Sequence, residues 1–268
     1  MVSKLNGRVL VISGSDPSGG AGLQGDIKTI TALGGFATNA ITAITNQDTN
    51  EVYDIFDLKP LIVTKQIKTV LNDIGADSIK IGMLSNSEII KSVSLTLFEY
   101  AKGTPIVLDP VMTSQSGYEL IKGSYKEDLS LHLIPKCFLI TPNLPEAEIL
   151  IGKRIRSLSD MLNSIDYLRM LGSEAVLLKG GHLEGNHLTD LLITKEKYIR
   201  YDSTKIETSS THGTGCALSS AIATGLAQSL SLEDSVIRAR KFVFEAIKSA
   251  PDFGYGSGPL NHYFNNLD

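Results

Sequence analysis

The chain has 268 residues, 42% hydrophobic and 20% charged, which is apolar enough to close a core and excludes a disordered or collagen-like polypeptide. Lys and Arg number 25 against 29 Asp and Glu, a net charge of −4 with no run of like charge, so neither nucleic acid nor an anionic membrane is expected as a partner. The two cysteines, Cys137 and Cys216, lie far apart and suggest neither a disulfide framework nor a CxxC zinc site. Residues 9–12 are too short an apolar run for a secretion signal, and no stretch nears the ~20 residues of a membrane span, so a cytoplasmic protein is expected.

In chain order, residues 8–13 read as a buried strand, Leu23, Ile27 and Ile30 share one helix face, and residues 40–45 return to a strand. Further buried strands are predicted at 78–82, 105–109, 138–141 and 175–179. Each is followed, after a turn containing Gly or Asn, by helical spacing such as 87–100 or 158–171. Such alternation predicts an α/β fold with a mainly parallel sheet, helices on both faces, and ligands at the carboxyl ends of the strands. From about Asp190 two short strands, 191–194 and 198–201, form an antiparallel addition at one edge. A small-residue helix over 217–228, an amphipathic helix over 232–249 and an irregular segment at 254–259 follow. No repeat, linker or boundary divides the chain, so residues 1–268 read as one domain.

Three motifs carry chemistry. The loop from Gly14 to Gly22 contains Gly20, Gly22 and Gly25 in GxGxxG spacing, with Asp48 placed as a ribose-binding acid, so a dehydrogenase is a rival to a simple tight turn. No GxxxxGK[ST] sequence supports a P-loop. The run Thr211-His212-Gly213-Thr214-Gly215-Cys216 precedes the small-residue helix, where backbone N–H groups and the helix dipole would cradle an anion and lower the Cys216 thiol pKa; a buried packing cysteine is the plain alternative. Polar residues past three strand ends, Asp109, Asn143 with Glu146, and Lys179, would converge to hold a metal and a polyphosphate. Against this, Asp109 and Lys179 make a reasonable structural ion pair, and Asn143, Pro145 and Glu146 a reasonable helix start. The histidines show no HExxH spacing and are expected on the surface or in loops, His212 alone touching a motif.

Taken together, residues 13–22, Lys80-Ile81-Gly82-Met83-Leu84, Leu108-Asp109-Pro110-Val111-Met112, residues 140–147, Leu178-Lys179-Gly180-Gly181-His182, residues 211–216 and Gly258-Pro259 resemble the hydroxymethylpyrimidine/phosphomethylpyrimidine kinases of thiamine biosynthesis, of ribokinase-like fold. The resemblance spans nearly the whole chain. It implies ATP and Mg²⁺, an aminopyrimidine substrate and a homodimer, and it turns the glycine loop into a wall of the pyrimidine site. By the same resemblance Gln47 meets the pyrimidine edge, its amide pairing an amino donor beside a ring-nitrogen acceptor, with Gly14, Ala21, Met83 and Val111 completing the pocket. Cys216 stands where sugar kinases of the fold carry an Asp base. Gly213, Thr214 and Gly215 would stabilise the transferring phosphoryl group, Lys179 and Asn143 would bind nucleotide, and Asp109 with Glu146 would place Mg²⁺. A pyridoxal kinase of the same branch and a non-catalytic pyrimidine sensor are the alternatives.

Overall fold

The apolar run at the N-terminal end becomes β1 (Arg8–Ser15), which is buried at six successive positions because it pairs on both edges and is covered on both faces. The structure, a computed structural model, describes residues 6–113, 124–181 and 187–264. From β1 the chain runs through α1 (Gly22–Ala32), β2 (Phe36–Gln47), β3 (Val52–Asp57), α2 (Pro60–Asp73), β4 (Ser78–Ile81), α3 (Ser87–Tyr100) and β5 (Ile106–Leu108). The short α4 (Tyr125–Asp128), β6 (Leu139–Ile140), α5 (Leu144–Ile151), α6 (Leu158–Asn163), α7 (Ile165–Arg169) and β7 (Ala175–Lys179) follow. The described chain is completed by β8 (His187–Thr194), β9 (Tyr198–Thr204), α8 (Thr214–Ala227) and α9 (Leu232–Lys248).

Among the described residues one nine-stranded sheet has the order β3-β2-β1-β4-β5-β6-β7-β8-β9. The six strands from β2 to β7 are parallel, and β3, β8 and β9 are antiparallel additions at the two edges. Alternate residues of one strand feed two cores. Leu10 and Ile12 of β1, with Ile79, Ile81 and Leu108, pack on Ile89, Ile90 and Val93 of α3. Val9 and Val11, with Val107, Leu139 and Leu177, pack on Ile30 of α1, Ala221 and Ile222 of α8 and Phe242 of α9. The small residues of α8 serve this packing: a Cβ on Gly225 would run into Ser235 of α9.

The sheet reverses direction at β1, since β2 lies on one side of it and β4 on the other. The loops leaving these strands therefore part at their carboxyl ends and open a crevice. Two elements have no counterpart in the sequence reading, β3 and α2, and the helix expected over 158–171 is broken at Ser164. There the hydroxyl donates to Met161 O at 2.7 Å, a local bond that competes with helix continuation. Among the described residues no helix is long and apolar enough to cross a membrane.

Candidate active site

The crevice holds a cavity of about 320 Å³, and every residue to which the family resemblance gives a catalytic, substrate, nucleotide or metal role lies on its wall. Gly14 comes from β1, Ala21 from the turn before α1, Gln47 from the end of β2, Met83 from the exit of β4, and Asp109 and Val111 from the exit of β5. Asn143 and Glu146 open α5, Lys179 ends β7, and Gly213, Thr214, Gly215 and Cys216 open α8. His182 lies outside the described residues.

At one end of the cavity Lys179 Nζ meets Asp109 Oδ1 at 3.0 Å, and Thr141 Oγ1 donates to the same oxygen at 3.0 Å. The Asn143 side chain accepts from Glu146 N at 2.9 Å, while Glu146 Oε2 accepts from Asn143 N at 2.8 Å. The ion pair and helix start expected as plain alternatives are both present, and both face the cavity. Burial, reinforced by the Asp109 charge and opposed by Lys179, pushes the Glu146 carboxyl up to about 7.

Among the described residues no side chain caps α8, whose N-cap Gly213 sits at φ +86°; Thr214 N donates to Thr211 O at 3.3 Å, and the N–H groups of Gly215 and Cys216 that follow it in the first turn are the ones placed to meet an anion. A Cβ on Gly215 would come within 3.2 Å of Lys179 Nζ and 3.3 Å of Asp109 Oδ2, crowding the space between helix and charges. A glycine cradle beside a lysine fits a phosphate chain. Two carboxylates fit a Mg²⁺ that keeps waters and takes its other oxygens from phosphate, and among the described residues no larger cluster of metal-binding side chains exists.

Cys216 lies half-buried in the first turn of α8 with Gly22 N donating to its sulfur, yet its thiol is pushed up to about 12 and not down. Burial is the main cause, and Asp26 and Asp109 add to it. Lys80 and the Gly22 bond oppose it without prevailing. The resting side chain is a thiol, and the lowered pKa expected from the dipole alone is corrected by burial and by two carboxylates from distant parts of the chain.

At the other end Gln47 and Met83 line the cavity, with Met83 O held by Thr42 Oγ1 at 2.7 Å and Gly14 leaving room beside the Met83 thioether. Residues outside the sequence reading join them. Thr45 Oγ1 donates to Ser15 O at 2.9 Å and lies 3.3 Å from Gln47 Oε1. His212 Nε2 bonds Asp16 Oδ2 at 2.8 Å, and that oxygen also accepts from Ser18 Oγ and Ala21 N, each at 2.9 Å. The histidine thus ties the α8 loop to the glycine loop, and a Cβ on Gly213 would collide with Gly20 O. His212 and His262 both lie in loops, as expected, but both are buried and neither is on the surface. Deeper still, Lys80 Nζ contacts both oxygens of Asp26 at 2.8 and 2.7 Å, and Ser220 Oγ of α8 donates to Asp26 Oδ1 at 2.7 Å.

The dinucleotide reading loses its acid. Asp48 does not line the cavity; in the β2–β3 turn it accepts from Asn50 N at 2.7 Å, Glu51 N at 3.0 Å and Tyr53 Oη at 3.0 Å.

Known proteins resemble this chain over most of its length. The family model described as phosphomethylpyrimidine kinase matches residues 16–261. The hydroxymethylpyrimidine/phosphomethylpyrimidine kinase of Bacillus subtilis is 38% identical over 96% of this chain and 94% of its own length. The thiamine biosynthesis bifunctional protein ThiED of Geobacter sulfurreducens is 41% identical over 96% of this chain, which spans 52% of that longer protein. Among solved structures, the phosphomethylpyrimidine kinase of Clostridium difficile 630 superposes with a TM-score of 0.80 at 41% identity, covering 90% of this chain and 99% of that one. An ADP complex of Bacillus subtilis pyridoxal kinase gives 0.89 at 30% identity, covering 98% and 100%. These neighbours have the ribokinase-like fold, and with the family match running from the glycine loop to the closing segment, the chain belongs to the phosphomethylpyrimidine kinase family and is a kinase.

Proposed function

We propose that the protein phosphorylates 4-amino-5-hydroxymethyl-2-methylpyrimidine with ATP and Mg²⁺, first on the hydroxymethyl oxygen and then on the resulting monophosphate, supplying thiamine biosynthesis. The observation that supports this best is that Gln47 and Cys216 open onto one cavity, so one side chain suited to an aminopyrimidine edge and one suited to a reacting hydroxyl serve the same ligand. On this reading Gly14, Ala21, Met83 and Val111 enclose the ring. Lys179 and Asn143 bind the nucleotide, and the Gly213, Thr214 and Gly215 amides stabilise charge on the phosphoryl oxygens in transfer. Asp109 and Glu146 would hold Mg²⁺, which when bound neutralises phosphate charge.

In the first step the bond from the γ-phosphorus to the bridging oxygen of ATP breaks, a bond to the alcohol oxygen forms, and the alcohol proton must leave. Since the resting sulfur is a thiol, base action by Cys216 requires that thiol to lose its own proton as substrates bind, and the Lys80 charge favours that loss. The second step needs no base, because a phosphate monoester with a second pKa near ~6 is already ionised at neutral pH. Following products over time with the aminopyrimidine alcohol and Mg-ATP tests the assignment: monophosphate and then diphosphate accumulate, and absence of both refutes it. Cys216→Ala is expected to slow the first step far more than the second. Equal losses in kcat for both acceptors would leave the residue a positioning role only.

A pyridoxal kinase is the second reading, favoured by the close superposition on the Bacillus subtilis enzyme. Pyridoxal offered as a competing acceptor in the same assay decides between them. The cytoplasmic homodimer implied by the family resemblance belongs to the proposal too. Exposed Ile44 and Phe56, which pair across β2 and β3, with Leu61 and Ile62 of α2, offer apolar surface for a second copy.

A further inference from the structure

Lys179 is the last residue of β7, and its backbone is gripped on both edges of the strand before its side chain reaches the cavity. On one edge Lys179 N donates to Pro142 O at 2.9 Å, and Lys179 is bridged to Asn143. On the other it stands opposite Asp190 of β8. The Asp190 carboxylate, 4% exposed, then takes over from the sheet: Oδ1 accepts from Gly180 N at 3.0 Å, and Oδ2 pairs with Arg240 of α9. Arg240 Nη2 donates in turn to Ser203 Oγ at 3.2 Å. Asp190 itself does not line the cavity.

The bond to Gly180 supplies a restraint that sterics cannot. Gly180 and Gly181 follow Lys179, and two successive residues without a Cβ leave the chain wide freedom of φ and ψ. A Cβ on Gly180 would collide with Thr189 O, so glycine is required here and its freedom has to be removed by a bond. The Gly180 N–H lies in the same planar peptide unit as the Lys179 carbonyl. With Lys179 N tied to Pro142 O and the following peptide tied to Asp190, both sides of the Lys179 Cα are fixed. The direction in which the lysine side chain leaves the strand is fixed with them. That side chain meets Asp109 at 3.0 Å, at the end of the cavity where the glycine cradle fits a phosphate chain.

We propose that Asp190 is a positioning residue of this kinase, its carboxylate aiming Lys179 at the nucleotide phosphates through Gly180 N, while Arg240 serves only to balance the buried charge. The inference rests on Lys179 meeting the nucleotide, as argued under Proposed function.

The test compares two double variants that leave no charge buried at this place. Asp190→Asn with Arg240→Met keeps an oxygen for Gly180 N, and kcat/KM for ATP stays within about twofold of wild type. Asp190→Leu with Arg240→Met keeps the shape without the acceptor, and lowers kcat/KM for ATP about tenfold. Kd for the aminopyrimidine alcohol, measured without ATP, stays within about twofold of wild type in both. In a Lys179→Met background the two double variants give equal kcat/KM for ATP, because the side chain they aim is gone. Equal values with Lys179 present, a parallel loss of alcohol affinity in the leucine variant, or a difference that persists without Lys179 overturns the proposal. Should the leucine variant fail to fold, Asp190→Ala with Arg240→Met provides the same readout. A wild-type enzyme that does not phosphorylate the aminopyrimidine alcohol refutes the proposed function, whereas one that does, with equal kcat/KM in the two double variants, refutes the role of Asp190 alone.

Discussion

Two lysine–aspartate pairs bear on Cys216, and they differ in what else can reach them. Lys80 and Asp26 are 0% exposed on both sides, sealed among β4, α1 and α8 with Ser220 as the third partner. Lys179 and Asp109 keep 16% and 3% of their side-chain surface and line the cavity. The charges match, so access decides the role. In the sealed pair burial works against the Lys80 charge, and the Asp26 carboxylate, with Asp109 adding to it, outweighs burial and raises the lysine. The open pair can exchange its internal bond for a ligand.

The comparison can be broken by removing one cation at a time. Lys80→Met leaves a carboxylate buried without its partner and costs about 3–5 kcal/mol of stability, read by denaturant unfolding. Lys80→Met combined with Asp26→Leu recovers most of that loss. Lys179→Met instead lowers kcat about 10²–10³-fold in the product assay, with a smaller shift in the unfolding midpoint because Asp109 keeps the cavity as a route to water. If Lys179→Met proved the more destabilising of the two, the division between sealed and open pairs would fail.

A smaller effect sharpens the contrast by using an ionisable group with no counter-charge. His262 is buried, and burial with Lys28 repulsion lowers its ring from 6.5 to about 4. Its neutral form belongs to the folded state. Its contribution is therefore complete above pH 6.5 and is lost as the pH falls toward 4. His262→Gln is expected to flatten the stability profile in that window by roughly 1–3 kcal/mol, and an unchanged slope would assign the acid sensitivity to other groups.

The sequence and the structure agree where the signal is local. Strand exits followed by Gly, Asn or Pro place Asp109, Asn143 and Lys179 at one end of a parallel sheet, the glycine run before α8 marks a helix start at Gly213, and all of them line one cavity. The edge strand β3 escapes the same reading because only Val52 of its six residues is buried, so no clean alternation appears. Helix α2 buries only Val63 and Ile67, too thin a stripe to read, although Pro60 marks its start. The thiol state of Cys216 was beyond a local reading altogether. The helix start next to it is visible in the sequence, whereas Asp26 and Asp109, which oppose the dipole, reach it only through the fold. Asp190 illustrates the same limit: it accepts from Gly180 N at 3.0 Å and pairs with Arg240, steadying the turn after Lys179 through residues far away in the chain.

The contact between the glycine loop and the α8 loop has a mechanical consequence. With His212 bolted to Asp16 and Gly213 seated against Gly20 O, neither loop has slack to move without dragging the other. Occupancy at the ring end and occupancy at the phosphate end are then felt through one shared hinge plate, and the affinity measured for either ligand will carry the imprint of whether its companion is already seated.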